Sequence, residues 1–279
     1  MGKFDGLLLC TDMDDTILTT DKRISEENKS AIEYFKSEGG LFSFATGRTI
    51  EGAAPILEQF SPDIPMITFN GAAIYDLSKK EMLYQQYISK DIEKVIDLVA
   101  KEAPYAAIDI CTFSASYFYR TNRILEEHKT IEKIPDNYIG NYNDIKEPWV
   151  KIIFMVEPED MPAIRKLIDN SEYADVCDFV QSAPWYYEAL PKNSNKGTAL
   201  IELARILDIP LKNTIAIGDN GNDVEFIKTA GIGAAVANAT PVLLDCADYI
   251  TVDNNSNAIK ALIEALDNGT IKTAPYHLD

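Results

Sequence analysis

Short apolar runs separated by amphipathic stretches fill both ends of the chain. The runs Gly6–Thr11, Leu41–Ala45, Met66–Phe69, Thr214–Ile217, Ile232–Val236 and Tyr249–Val252 are too short for buried helices. Their near-continuous apolar character suits strands covered on both faces. Between the first two, Ser25 is placed to cap a helix whose first turn carries Glu26 and Glu27. Ile32 and Phe35 share the apolar face of that helix, and Gly39-Gly40 stops it. Asn195 to Leu207 reads as a second helix, ending ahead of Pro210. Strands alternating with helices predict βα units around a parallel sheet.

From about Tyr84 to Leu190 the pattern changes. A helix is predicted from Ser89 to Lys101, followed by strands Ala107–Phe113 and Ser116–Arg120. Strands this close, joined by a short Ser-bearing turn, pair antiparallel. Val150–Val156 is a further strand, leading into a helix opened by Pro158, with strand candidates near Val176 and Tyr186. The expected fold class is therefore α/β. A Rossmann-like parallel-sheet core, discontinuous in sequence, takes residues 1–84 and 190–279, and a separate α/β domain is inserted over 85–189.

Composition narrows the partners. The chain is 46% apolar and 25% charged, which suits a folded core. Its net charge is −18, from 44 acidic and 26 basic residues, so nucleic-acid backbones and anionic membrane surfaces are excluded as partners. A small anionic substrate is still allowed if a metal and a cation sit inside the site. Cys10, Cys111, Cys177 and Cys246 form no C-x-x-C pair and are expected as buried free thiols of a reducing compartment. His128 and His277 stand alone, so a site must be built from carboxylates. The run Leu7–Cys10, flanked by Asp5 and Asp12, is too short for a leader or a membrane span, and the expected location is cytoplasmic.

Candidate chemistry collects at strand ends, where open α/β sheets bind ligands. Asp12-Met13-Asp14-Asp15-Thr16 follows the first run directly. Carboxylates held together repel, and a hard divalent cation such as Mg²⁺ is the usual remedy; a solvated acidic exit with a capping Thr fits the same residues. Thr46-Gly47-Arg48 offers a hydroxyl and N–H groups to a phosphate oxygen, or simply an N-cap. Asn70-Gly71 alone is a turn. Lys196 opens a helix, where the macrodipole disfavours a cation; an anion bound there would explain it, and so would a side chain extended into water. Gly218-Asp219-Asn220-Gly221-Asn222-Asp223 supplies two more carboxylates in what is otherwise a Gly/Asn turn. Taken in order, acid pair, hydroxyl, lysine and acid pair are what metal-assisted phosphoryl transfer through a carboxylate needs. Gly231-Ile232-Gly233 begins like a dinucleotide fingerprint but lacks its third glycine.

On these motifs the chain resembles the phosphatases of the haloacid dehalogenase superfamily, in particular the Cof-type branch. The shared stretches are Asp12–Leu18, Phe44–Arg48, Asn70-Gly71-Ala72, Lys196-Gly197 and Gly218–Asp223, with Ala237-Asn238-Ala239 and Ala247–Ile250 beyond them. The insertion falls between Thr46 and Lys196, where this branch carries an α/β cap. The resemblance implies a nucleophile in Asp12 and a general acid and base in Asp14. It implies phosphoryl binding by Thr46, Gly47, Lys196 and Asn222. It also implies Mg²⁺ held by Asp12, the carbonyl of Asp14, Asp219 and Asp223. The implied activity is hydrolysis of a small phosphorylated metabolite, a sugar phosphate by family expectation, through an aspartyl-phosphate, with the cap closing over the site. A phosphomutase on the same core and a non-catalytic phospholigand-binding regulator stand as alternatives, though a binder needs no acid at position 14. Arg120 and Arg123 are candidates for a second anionic group of the substrate, against the plainer reading of solvated surface arginines. The chain departs from the family at Asn193-Ser194-Asn195 before the lysine and at Asn257-Ala258-Ile259. Which substrate is used, and the oligomeric state, are not legible.

Overall fold

Strand Leu8–Thr11 has a parallel neighbour on each side. Leu41–Phe44 pairs along one edge, and Thr214–Gly218, Ile232–Ala235 and Tyr249–Ile250 follow in turn along the other. This is a computed structural model, and it describes residues 2–132 and 134–271; His277 lies outside them. Leu8, Leu9, Cys10, Phe44, Ile215 and Ile217 have no exposed surface, which is why their runs read as continuous apolar segments. Helix Glu26–Ser37 packs on helix Ala258–Asp267 and buries Ile32 and Phe35 in the same core. Ser25 caps it as expected, its hydroxyl accepting from the Asn28 N–H at 3.2 Å.

One strand expectation needs correcting. Met66–Thr68 does not extend the parallel sheet. It heads a three-stranded sheet with Ala73–Asp76 and Glu81–Gln85, paired antiparallel throughout, and lies beside the Leu41 strand with the parallel bridge Ala45–Ile67 between them. The reversal is made by Phe69 and Asn70, both left-handed (φ 53° and 55°), and by Gly71 at φ 100°. A bulky left-handed Phe carries no sequence signal, and Glu81–Gln85 is too exposed to show a clear apolar period.

The chain divides into two compact units. One holds the residues up to Arg48, Ala53–Gln85 and those from Asn195 on; the other holds Thr49–Gly52 and Gln86–Ser194. In the second unit Ser116–Arg120, Ala107–Cys111, Lys151–Met155, Tyr186–Leu190 and Asp178–Ala183 form an antiparallel sheet in that order. The strand expected near Val176 starts at Asp178 instead. Helices Ile92–Glu102 and Met161–Asp169 cover one face, packing Val95, Ile96, Ile164 and Ile168 on Ile108, Ile110, Ile152 and Phe154. Among the described residues no helix is long and apolar enough to cross a membrane. All four cysteines are free, and three are buried.

The alternation of these strands sends Asp109, Lys151 and Glu188 to the opposite face, where all three are buried. Lys151 pairs with Glu188 at 3.3 Å, and the Ser182 hydroxyl donates to Glu188 at 2.7 Å. Among the described residues neither carboxylate oxygen of Asp109 has a partner in good hydrogen-bond geometry, with Ser116 and Cys111 as its polar neighbours. Burial pushes the Asp109 carboxyl up to about 7 from 3.8, despite the pull of the Lys151 charge. The folded unit therefore keeps a proton that the unfolded chain has already released. Stability is greatest below the unfolded value and falls as pH rises towards 7. Asp109→Asn is expected to flatten that fall and to add about 1–3 kcal/mol at pH 8, with little change at pH 4. Urea unfolding at both pH values checks this; parallel pH slopes in variant and wild type would contradict it.

Candidate active site

Everything in this site belongs to the first unit. Asp12 is the residue after strand Leu8–Thr11, and its N–H still donates to the Ile217 carbonyl at 2.9 Å. Asp219 is the residue after the neighbouring strand Thr214–Gly218. Parallel pairing in register thus brings two carboxylates from distant sequence to adjacent strand ends.

Beyond Asp12 the chain makes a tight turn over Met13–Ile17, closed by the Leu18 N–H on the Met13 carbonyl at 3.0 Å. Asp15 takes the left-handed conformation there (φ 53°), which Asp tolerates better than most side chains. The turn is braced from the far end of the chain. Asn238 donates to the Asp15 carbonyl at 2.8 Å, and Asn254 to the Leu18 carbonyl at 2.9 Å.

Lys196 is the first residue of helix Lys196–Ile206. Asn195 caps that helix reciprocally with Thr198, at 2.9 and 3.2 Å. Close approach fixes the helix start. A Cβ on Gly71 would sit 2.2 Å from the Asn195 carbonyl oxygen, and one on Gly197 would sit 2.4 Å from that of Glu225. Lys196 is wholly buried, with Nζ 2.5 Å from Asp12 Oδ1 and 2.7 Å from Asp223 Oδ1. Two carboxylates thus answer an ammonium placed against the helix dipole. The other oxygen of Asp223 accepts the N–H groups of Asp219 and Asn220, at 3.1 and 3.2 Å. Thr16 donates to Asp219 Oδ1 at 3.1 Å.

Carboxylate oxygens of Asp12, Asp219 and Asp223 all lie within 4.8 Å of one another. Burial pushes the Asp12 carboxyl well up, reinforced by the charges of Asp223 and Asp219 and opposed by Lys196. Burial and the Asp223 charge raise Asp219 to about 7. Lys196, itself raised by its two carboxylates against the effect of burial, is one positive charge among three negative ones. A cluster of hard oxygens short of positive charge fits Mg²⁺.

The Asp14 carboxylate stands outside this cluster. Its Oδ2 accepts from Arg48 Nε at 2.8 Å; its Oδ1 accepts from Arg48 Nη2 at 2.9 Å and from Lys22 Nζ at 3.0 Å. Burial would raise its pKa, but the hydrogen bonds and charges of Arg48 and Lys22 overcome that and hold it at about 2.

Thr46 is buried, and its hydroxyl oxygen accepts the Arg48 N–H at 3.1 Å. The Thr46–Arg48 loop is stitched to the next strand end: Thr46 N–H to the Ile67 carbonyl, Asn70 N–H to the Thr46 carbonyl and Phe69 N–H to the Arg48 carbonyl, at 3.0, 3.0 and 3.1 Å. Gly47 lies against the Asn70 amide. Asn222 donates to Asn70 Oδ1 at 3.0 Å, which ties the fourth motif to the third. Arg48, Lys22, Thr16 and Asn70 all touch expected site residues without having been singled out for a role. Arg48 and Asn70 lie inside motifs already noted, whereas nothing in the sequence marks Lys22. In the second unit, Arg123 pairs with Glu157 at 2.7 Å and with Glu127, and Arg120 stacks on Tyr119 with 5.4 Å to the ring centroid. Both arginines have partners in their own unit, as surface arginines ordinarily do.

Comparison with known proteins identifies the family. Residues 9–263 match the sequence model of a family described as haloacid dehalogenase-like hydrolases. A Bacillus subtilis protein named "Putative phosphatase YxeH" is 29% identical over 272 residues, 93% of this chain and 97% of its own length. The 5-amino-6-(5-phospho-D-ribitylamino)uracil phosphatase YcsE of Bacillus subtilis is 27% identical over 265 residues, covering 93% and 95%. In fold, a haloacid dehalogenase-like hydrolase from Bacteroides thetaiotaomicron superposes with a TM-score of 0.81 at 23% identity, covering 93% of this chain and 99% of that one.

Proposed function

The chain belongs to the haloacid dehalogenase-like hydrolase family as a Cof-type phosphatase, and from that premise we propose that it is a Mg²⁺-dependent phosphohydrolase acting through an aspartyl-phosphate on a small phosphorylated metabolite. The observation that carries this reading is the Asp12 carboxylate, set at a strand end against buried Lys196 and beside Asp219 and Asp223. Those three carboxylates and the Asp14 carbonyl would hold Mg²⁺, which offsets charge on the phosphoryl oxygens and keeps Asp12 ionised.

In the first step an Asp12 oxygen attacks phosphorus. The bond from phosphorus to the leaving oxygen breaks, and Asp14, ionised in the resting site and first protonated from solvent, gives that oxygen the proton. In the second step water attacks the same phosphorus, Asp14 takes the proton, and the bond to Asp12 breaks. The carboxylate is restored and inorganic phosphate leaves. Lys196, the Thr46 hydroxyl and the Gly47 N–H hold the phosphoryl oxygens throughout, and Asn222, steadied by Asn70, orients them. Residues 85–189 would be the cap that selects the substrate. A phosphorylated sugar or polyol is the favoured class, supported by the phosphoribityl group in the name of the uracil phosphatase relative.

The test is phosphate release from a panel of sugar and polyol phosphates and an aryl phosphate, with Mg²⁺ and with chelator. Release that requires Mg²⁺ is expected. Isomerised product with the phosphate retained would make it a mutase. Metal-independent binding without turnover would make it a regulator.

A further inference from the structure

Resting on the phosphohydrolase reading is a question about Asp14. Its two oxygens are both spanned by the Arg48 fork, and Lys22 adds a third charged bond. Three charged donors occupy three of the roughly four acceptor positions of this carboxylate and favour its ionised form, so it serves as an acid more readily once a partner lets go. Lys22 is an exposed side chain, 51% accessible, whereas Arg48 is 15% accessible and rooted in the loop that carries Thr46 and Gly47. The Arg48 N–H donates to Thr46 Oγ1, so the guanidinium stem starts two residues from the hydroxyl assigned to the phosphoryl group. A guanidinium fork fits two phosphoryl oxygens as well as it fits a carboxylate, and a phosphate monoester brings more negative charge than Asp14 does.

We infer that Arg48 exchanges partners on substrate binding, leaving Asp14 for the transferring phosphoryl group and so freeing Asp14 for the leaving oxygen. Arg48 is then a phosphoryl-binding residue that also withholds the acid until a phosphorylated ligand arrives. Lys22 stays near Asp14 and steadies it during the exchange.

Phosphate affinity measured without turnover separates this exchange from the hydrolase reading. Inorganic phosphate is titrated calorimetrically, with Mg²⁺ present, into wild type, Arg48→Gln, Arg48→Lys and Lys22→Met, each checked for folding by its melting curve. Exchange predicts that Arg48→Gln weakens phosphate binding about 10–100-fold. Arg48→Lys should recover part of that loss, and Lys22→Met should stay within about threefold of wild type. Across aryl phosphates of graded leaving-group acidity, Arg48→Gln should keep the wild-type dependence, while Asp14→Asn steepens it. Wild-type phosphate affinity in both Arg48 variants overturns the exchange and leaves the hydrolase reading intact. A steepened dependence in Arg48→Gln also overturns it, and makes Arg48 a fixed support for Asp14. A wild type that binds no phosphate overturns the exchange, and the release assay decides the hydrolase reading separately.

Discussion

Asp12→Asn should lower phosphate release by roughly 10⁴-fold or more, because an amide oxygen cannot take the place of a carboxylate as nucleophile. The substitution is isosteric and leaves an oxygen for Lys196 to donate to, so the backbone pairing with Ile217 has no reason to change. It also removes one negative charge from a buried cluster in which Asp12 is disfavoured as an anion by burial and by Asp223 and Asp219. The metal-free variant should therefore melt no lower than wild type. Loss of turnover at unchanged or higher melting temperature would place the defect in the chemistry. Residual release above about one per cent of wild type would mean that another group attacks phosphorus.

Lys196→Met should strike stability as well as rate. The ammonium is fully buried between Asp12 and Asp223, and methionine matches its length without its charge. Two buried carboxylates are left facing each other, and breaking a buried pair costs about 3–5 kcal/mol. Losing a donor to the phosphoryl oxygens should cost a further 10²–10³-fold or so in turnover. Because the same carboxylates are assigned to Mg²⁺, millimolar Mg²⁺ should restore part of the lost stability in the variant. Urea unfolding with and without Mg²⁺ measures both effects. If the variant's unfolding curve ignores the metal, Asp12 and Asp223 do not hold it.

What could be read from the sequence was whatever depends on local periodicity. Asp12 and Asp219 were legible because each follows a short apolar run that could only be a strand, and parallel strands place their ends together. Lys196 was legible as an anomaly, a cation at a helix start, and the structure surrounds it with Asp12 and Asp223. Contacts fixed by side-chain reach were not legible. Asp14 lies two residues from Asp12, yet its carboxylate turns to Arg48 and Lys22 instead of joining the cluster. The bond from Asn222 to Asn70 links two turns that each look ordinary alone. The antiparallel partner of the Met66 strand was hidden because the chain reverses after it through two left-handed residues, Phe69 and Asn70. Asp109, flanked by Ile108 and Ile110, has the alternation of a strand with one wet face, but that face is buried too.

The strand order has a consequence for how the molecule is made. Leu8 pairs with Thr214, so the central strand waits for most of the chain before it gains its second neighbour. The sheet of the inserted unit needs only the stretch from Ala107 to Leu190, and closing that shorter loop sacrifices less chain freedom. On a ribosome the inserted unit is therefore expected to be folded while Leu8–Thr11 still lacks that neighbour and Asp12 still lacks Lys196. The nascent chain would carry its nucleophile as an ordinary hydrated aspartate, inert until the last third of synthesis delivers the lysine and the second acid pair.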